Sequence, residues 1–161
     1  MNSNGTIRFN PGAEEWVRLG IALYGGIEQS ELEQIFSLKS IISQLRTVKA
    51  GESIGYQNSF VTSEDMQIAI IPVGYADGLN RKLGNKKGRV FINDQSCQII
   101  GEISMDSFAA NVSGLDVVEG QEVIIFSPKY SVSQLANDLG TIPYEIMATL
   151  NRRIKRVYLN E

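Results

Sequence analysis

Four short stretches place chemically useful groups where a ligand could meet them. Gly55-Tyr56-Gln57 sets a phenol at a strand end, just after the Ala50-Gly51-Glu52 turn. Gly74-Tyr75-Ala76-Asp77-Gly78 follows a buried apolar run and opens a tight glycine turn. Ser104-Met105-Asp106 sits between two β-type runs, and Val17-Arg18-Leu19-Gly20-Ile21 embeds an arginine in apolar surroundings. Taken singly, the first three have plain structural readings: a packing tyrosine with a wet tip, a strand-ending turn, and a gap-filling methionine beside a turn-forming aspartate. The arginine resists that treatment, because a buried guanidinium is costly without a partner or a ligand.

The rest of the composition narrows the chemistry. The 161 residues contain no histidine and one cysteine, Cys97. That removes the commonest general base, the Ser-His and Cys-His nucleophile pairs and the usual zinc ligand from this chain. Any catalysis here rests on Tyr, Lys, Arg or a carboxylate, or on groups supplied from elsewhere. One cysteine excludes an internal disulfide framework. The net charge of −3 offers no basic footprint for nucleic acid, and 43% hydrophobic residues suffice for a core. The start, Met-Asn-Ser-Asn-Gly-Thr-Ile-Arg, lacks the apolar stretch of a signal peptide. Apolar runs such as 68–73 are too short to cross a bilayer. The expected setting is therefore the cytoplasm, with no membrane segment in this chain.

The elements that must position these groups follow from periodicity and turns. Asn4-Gly5 and Asn10-Pro11-Gly12 punctuate the first segment. Residues 17–24 read as a short buried strand ending at Gly25-Gly26, and 28–34 as a linker or short helix. The stretch 35–48 fits either a helix, through Ile35, Leu38, Ile42 and Leu45, or a twisted strand. Residues 66–74, 89–93, 97–103, 108–112 and 122–127 are β-type runs separated by turn signals, with Asn93-Asp94 as a hairpin turn. Ser131-Val132-Ser133-Gln134 has capping-box spacing and opens a helix that Gly140 closes. Thr141 is expected to cap a second helix running to about Leu150, with Pro143 in its first turn. Residues 154–159 read as a last strand. The fold class is mainly β, an antiparallel barrel-like domain with two late helices.

In this order the motifs resemble those of the C-terminal third of the alanine racemase family, pyridoxal-phosphate enzymes, over essentially the whole chain. The matching pieces are Asn2-Ser3, Arg18-Leu19-Gly20-Ile21-Ala22-Leu23-Tyr24-Gly25, Gly55-Tyr56, Gly74-Tyr75-Ala76-Asp77-Gly78, Gly101-Glu102-Ile103-Ser104-Met105-Asp106 and Thr141-Ile142-Pro143-Tyr144-Glu145. The resemblance implies two parts: residues 1–26 as the end of an N-terminal (β/α) barrel, including its last strand, and 27–161 as the C-terminal β-domain.

The resemblance also implies roles. Tyr56 is one of two acid/base residues that move the α-proton of a small amino acid on opposite faces. A phenol ionises at about 10, so a phenolic base near neutrality needs a cation beside it. Arg18 lies by the pyridine nitrogen of the cofactor and keeps it unprotonated. Ser3, with the backbone of Gly20 and Ile21, holds the phosphate. Met105 holds the substrate carboxylate through its N–H, and Tyr75 and Asp106 line the substrate entrance.

The lysine that bonds covalently to the cofactor belongs to the barrel and has no counterpart before Asn2. In the family the tyrosine acts across a homodimer interface, so this chain alone is expected to be inactive. There are departures. Leu19 stands where the family usually has proline, Ser104 where it often has cysteine, and Arg152 where many members have a phosphate-binding tyrosine. Arg152 would hold phosphate by charge, and its place beside the pocket keeps a serine racemase as an alternative. A non-catalytic β-domain for assembly is another. The loop 84–88 is read as a short insertion.

Overall fold

The computed structural model describes residues 1–9, 12, 16–27 and 32–159. The expected turn at Asn10-Pro11 and most of the expected linker 28–34 lie outside the described residues. The ambiguous stretch resolves as two strands, β1 (Leu38–Ile41) and β2 (Gln44–Val48). After them come β3 (Ser53–Ile54), β4 (Phe60–Val61), β5 (Met66–Ile71), β6 (Arg89–Ile92), β7 (Gln95–Ile100), β8 (Phe108–Asn111) and β9 (Glu122–Phe126). Three α-helices are described, α1 (Ser3–Arg8), α2 (Val132–Leu139) and α3 (Pro143–Thr149).

Seven strands form one antiparallel sheet in the order β1-β9-β6-β7-β8-β5-β2. Its two end strands are consecutive in the chain, and the two residues between them show how the sheet curls. Ile42 N–H donates to Gln121 O on the β9 side, and Ser43 N–H donates to Ile70 O of β5. One run of chain thus supplies both end strands of the sheet, β1 paired only with β9 and β2 only with β5, and curls the sheet back toward itself. This explains why 35–48 gave a mixed signal: the run bends between two pairings, and its apolar residues do not keep one alternation.

The interior holds Ile42, Ala69, Ile71, Val90, Ile99, Ala110, Val123 and Ile125. Strand β5 is apolar on both faces. Ala69 and Ile71 point into this core, while Met66 and Ile68 join Val48, Ile54, Ile100 and Ala109 in a second cluster. That outer cluster is covered by the small β3–β4 hairpin, with Phe60 packed against it. Double coverage accounts for the near-continuous apolar run of β5.

The local signals mostly hold. Asn93 and Asp94 both adopt positive φ, 51° and 60°, in a two-residue turn between β6 and β7. Ser131 Oγ accepts from Gln134 N–H at 3.1 Å while Gln134 Oε1 accepts from Ser131 N–H at 2.9 Å, completing the capping box of α2. Gln34 adds a tie from the front of the chain, its Oε1 accepting from Val132 N–H at 2.7 Å.

Three expectations are corrected. Residues 17–24 form no strand: 17–19 are irregular and Ile21–Tyr24 make a 3-10 turn. A parallel barrel strand needs neighbours on both sides, and among the described residues none pairs with it. Arg18 accordingly is exposed rather than buried. Residues 154–159 are also unpaired: they form no strand and join no sheet. Finally, the N-cap of α3 is Ile142, not Thr141. Pro143 at N1 pushes the residue before it into extended backbone, φ −118° and ψ 150°, which makes that residue the cap. The Thr141 hydroxyl instead meets the Glu145 carboxylate across the first turn. Among the described residues, no helix is long and apolar enough to cross a membrane.

Candidate active-site surface

The sequence-derived site residues fall into two groups. At the front of the chain, Asn2 caps α1 with its side chain, and the buried Ser3 hydroxyl accepts from Gly20 N–H at 2.9 Å. Arg18 N–H donates to Met1 O at 2.8 Å. These contacts bring Ser3, Arg18, Gly20 and Ile21 together although 17 residues separate Ser3 from Gly20. A Cβ at Gly20 would meet nothing within 4 Å, so the space beside Gly20 is open. The Gly20 N–H is spent on Ser3, which leaves the Ser3 O–H and the Ile21 N–H as donors without a partner among the described residues. Such a donor set fits a phosphate.

The second group lies on the β-domain. Gly74 to Gly78 and the turn 104–107 interlock through backbone: Tyr75 N–H donates to Ser104 O at 3.1 Å and Ala76 N–H to Met105 O at 3.0 Å. Only glycine fits at 74, where a Cβ would stand 2.2 Å from Met105 O. Gly78 has φ 99°, and a Cβ there would lie 2.2 Å from Thr149 O. The Ser104 hydroxyl bonds to Ser107 O at 2.8 Å and accepts from Ser107 N–H at 3.0 Å, tightening the turn. Met105 is 53% exposed, and its N–H donates to nothing among the described residues.

Sequence reasoning did not single out Arg153 or the role of Asp77. Arg153 Nε donates to Asp77 Oδ1 at 2.6 Å, and a terminal nitrogen donates to Asp106 Oδ1 at 2.8 Å. The other Asp77 oxygen accepts from Gly74 N–H at 2.9 Å. The Arg153 guanidinium, aided by the Gly74 amide, holds the Asp77 carboxyl below the usual carboxylate range against the opposing effect of burial. A signal was present in the adjacent Arg152-Arg153 and the charged residue inside a buried turn. Nothing in the spacing links positions 76 residues apart. Arg152, by contrast, is exposed and makes no hydrogen bond or ion pair among the described residues.

Tyr56 opens a 3-10 turn, 56–58, at the tip of the β3–β4 hairpin and is 69% exposed. It lines an open groove of about 750 Å³ together with Arg46, Glu102, Ser104 and Ser107. Tyr75 stands nearby in chain order and is flanked by Arg81, whose guanidinium lies 5.9 Å from the ring centroid and pairs with Glu102 at 3.0 Å. Among the described residues, no hydrogen bond joins the Tyr56 group to the Ser3–Gly20 group.

Comparison with known proteins bears on all of this. Residues 35–158 match the model for the alanine racemase C-terminal domain. An alanine racemase of Helicobacter pylori (strain P12) is 40% identical over 88% of the chain, and one of Clostridium tetani is 36% identical over 91%. The chain spans 41% of the length of each. Among solved structures, the alanine racemase of Bartonella henselae with covalently bound pyridoxal phosphate is 38% identical, with a TM-score of 0.83 over 89% of this chain and 41% of its own. The Bacillus anthracis enzyme with bound L-Ala-P is 31% identical, with a TM-score of 0.89 over 99% of this chain and 44% of its own. Ordered motifs, a family match across the β-domain and a shared backbone all converge: the chain belongs to the alanine racemase family.

Proposed function

We propose that this chain is the C-terminal part of a pyridoxal-phosphate-dependent alanine racemase that interconverts L- and D-alanine and supplies D-alanine for the cell wall. The observation that carries the reading is the groove in which Tyr56 and the Ser104–Ser107 turn face one space. A proton-moving phenol and an unpaired amide, that of Met105, then bracket a small amino acid. The relatives named above are alanine racemases, which supports alanine over serine as substrate.

When bound, pyridoxal phosphate supplies the electron sink that makes the α-proton of an amino acid removable. The Ser3 O–H and the Ile21 amide would hold its phosphate beside Gly20, whose own N–H orients Ser3, with Arg152 adding charge. Arg18, exposed at the front of the chain, would lie by the ring nitrogen and, as a permanent cation, keep that nitrogen unprotonated. Tyr56 Oη takes or returns the proton at the α-carbon on one face of the substrate. Met105 N–H orients the carboxylate, and Tyr75 and Asp106 narrow the entrance. The enzyme is read as a homodimer in which Tyr56, exposed at its hairpin tip, serves the cofactor bound by the partner. The cofactor-bonding lysine and the second acid/base group come from the barrel, so the chain alone is inactive. The cytoplasm is the setting.

In a full-length enzyme containing this chain, Tyr56→Phe is expected to slow α-proton exchange from one enantiomer by roughly 100-fold or more. Exchange from the other enantiomer should change far less. Equal, unchanged exchange from both would remove Tyr56 from the reaction.

A further inference from the structure

We propose that Arg153 is a positioning residue for substrate binding, its guanidinium bridging Asp77 and Asp106 and thereby fixing the turn that presents the Met105 N–H. The inference rests on the reading of Met105 as the group that holds the substrate carboxylate. Arg153 follows α3, and its direction is set locally: Arg153 N–H donates to Asn151 Oδ1 at 3.0 Å, and Asn151 N–H donates to Asp77 O at 2.9 Å.

The two arms of the guanidinium are unequal. Asp77 has a side chain only 12% exposed and spends both oxygens inside the fold, on Arg153 and on Gly74 N–H. It is the fixed end. Asp106 is 66% exposed and its carboxylate bonds to Arg153 at 2.8 Å. An ion pair that open to water adds little to stability. Its consequence is directional: it holds the residue next to Met105 while Ala76 N–H holds the Met105 carbonyl. Tyr75 N–H holds the Ser104 carbonyl, which shares a peptide plane with the Met105 N–H, so with both sides of Met105 tied that N–H is left aimed and free. A planar fork can hold two carboxylates at once, whereas an ammonium is a point charge that cannot reproduce the bridge.

The test compares wild type, R153K and R153A in a full-length, cofactor-loaded enzyme containing this chain. Thermal midpoint, hydrogen–deuterium exchange, and KM and kcat for alanine are read together. R153K retains a charge for Asp77 and is expected to keep its midpoint near wild type. It should speed exchange at 104–107 but not in the β6–β7 hairpin. It should also raise KM roughly tenfold, the scale of one hydrogen bond to a charged group, with kcat nearly constant. R153A should do the same and also lower the midpoint, since it leaves a buried Asp77 oxygen unpaired. Unchanged exchange at 104–107 in both variants overturns the clamp. Parallel falls in midpoint and kcat at constant KM assign Arg153 a structural role only and overturn the proposal. Faster exchange at 104–107 with KM unchanged also overturns it, and places the failure in the Met105 reading rather than in the bridge.

Discussion

The Tyr56 hairpin and the corner that carries Tyr75 and Met105 are held in opposite ways. The corner with Tyr75 and Met105 is tied by backbone pairing, by a glycine that no other residue can replace, and by an arginine bridging two carboxylates. The corner with Tyr56 is a hairpin of two-residue strands whose tip carries an exposed phenol and rests on a small apolar cluster. One corner is held within this chain, while the other presents an exposed phenol outward. On the function proposed above, the difference suits a fixed binding edge and a projecting acid/base group that meets a second surface.

Breaking the rigid corner should have the largest effect. Gly74→Ala puts a methyl 2.2 Å from the Met105 carbonyl oxygen, and the obstacle is backbone, which cannot rotate away. We expect a loss of about 3 kcal/mol of stability, read by denaturant unfolding, with racemisation by a full-length enzyme nearly abolished. Near-wild-type stability would mean that the 74–78 and 104–107 turns are not locked together.

The flap should give way more cheaply. Ile54→Ala removes a buried side chain from the outer cluster, next to the surface where neighbours can relax. The expected cost is about 2 kcal/mol, with exchange accelerated over 52–62 and unaffected at 104–107. Acceleration at both corners would show that they form one cooperative unit.

Asp77 separates the corners by pH. Its carboxyl is held below the usual carboxylate range, chiefly by Arg153. A group whose folded value is depressed contributes stability that is fully present above its unfolded value and lost as pH falls through the folded one. Asp77→Asn should therefore cost about 1.5 kcal/mol at neutral pH. The gap between variant and wild type should close below about pH 4, where the unfolded carboxylate protonates. Thermal midpoints measured from pH 7 to pH 2 check this; a gap independent of pH would detach the ionised carboxylate from the fold.

The same contrast explains what could be read in the sequence. Features fixed within a few residues were legible: the Asn93-Asp94 turn, the Ser131 capping box, the β-type runs that form β6 to β9, and the glycine turn at 74–78. Features that depend on distant partners were not. The run 17–24 has strand composition, but a strand exists only where another strand pairs with it, and the described residues offer none. Residues 154–159 fail for the same reason: their composition is strand-like, but no strand pairs with them. Arg153 escaped notice because its meaning lies in Asp77 and Asp106, 76 and 47 residues away. The cap of α3 was displaced by one residue because proline chemistry outranked the capping preference of threonine.

The smallest expected effect lies in the flap, at Ser59. Its hydroxyl is buried and has no hydrogen-bond partner among the described residues, and buried polar groups are seldom left so in native folds. Deleting it removes an unpaid desolvation cost without opening a large cavity. Ser59→Ala should therefore leave stability unchanged or raise it by less than about 1 kcal/mol, measured by denaturant unfolding. The equivalent deletion in the rigid corner, Ser104→Ala, strips a hydroxyl that both donates to and accepts from Ser107 and should be destabilising. If Ser59→Ala costs as much as Ser104→Ala, then the flap hydroxyl has a partner of its own, and the flap is held by more than its apolar cluster.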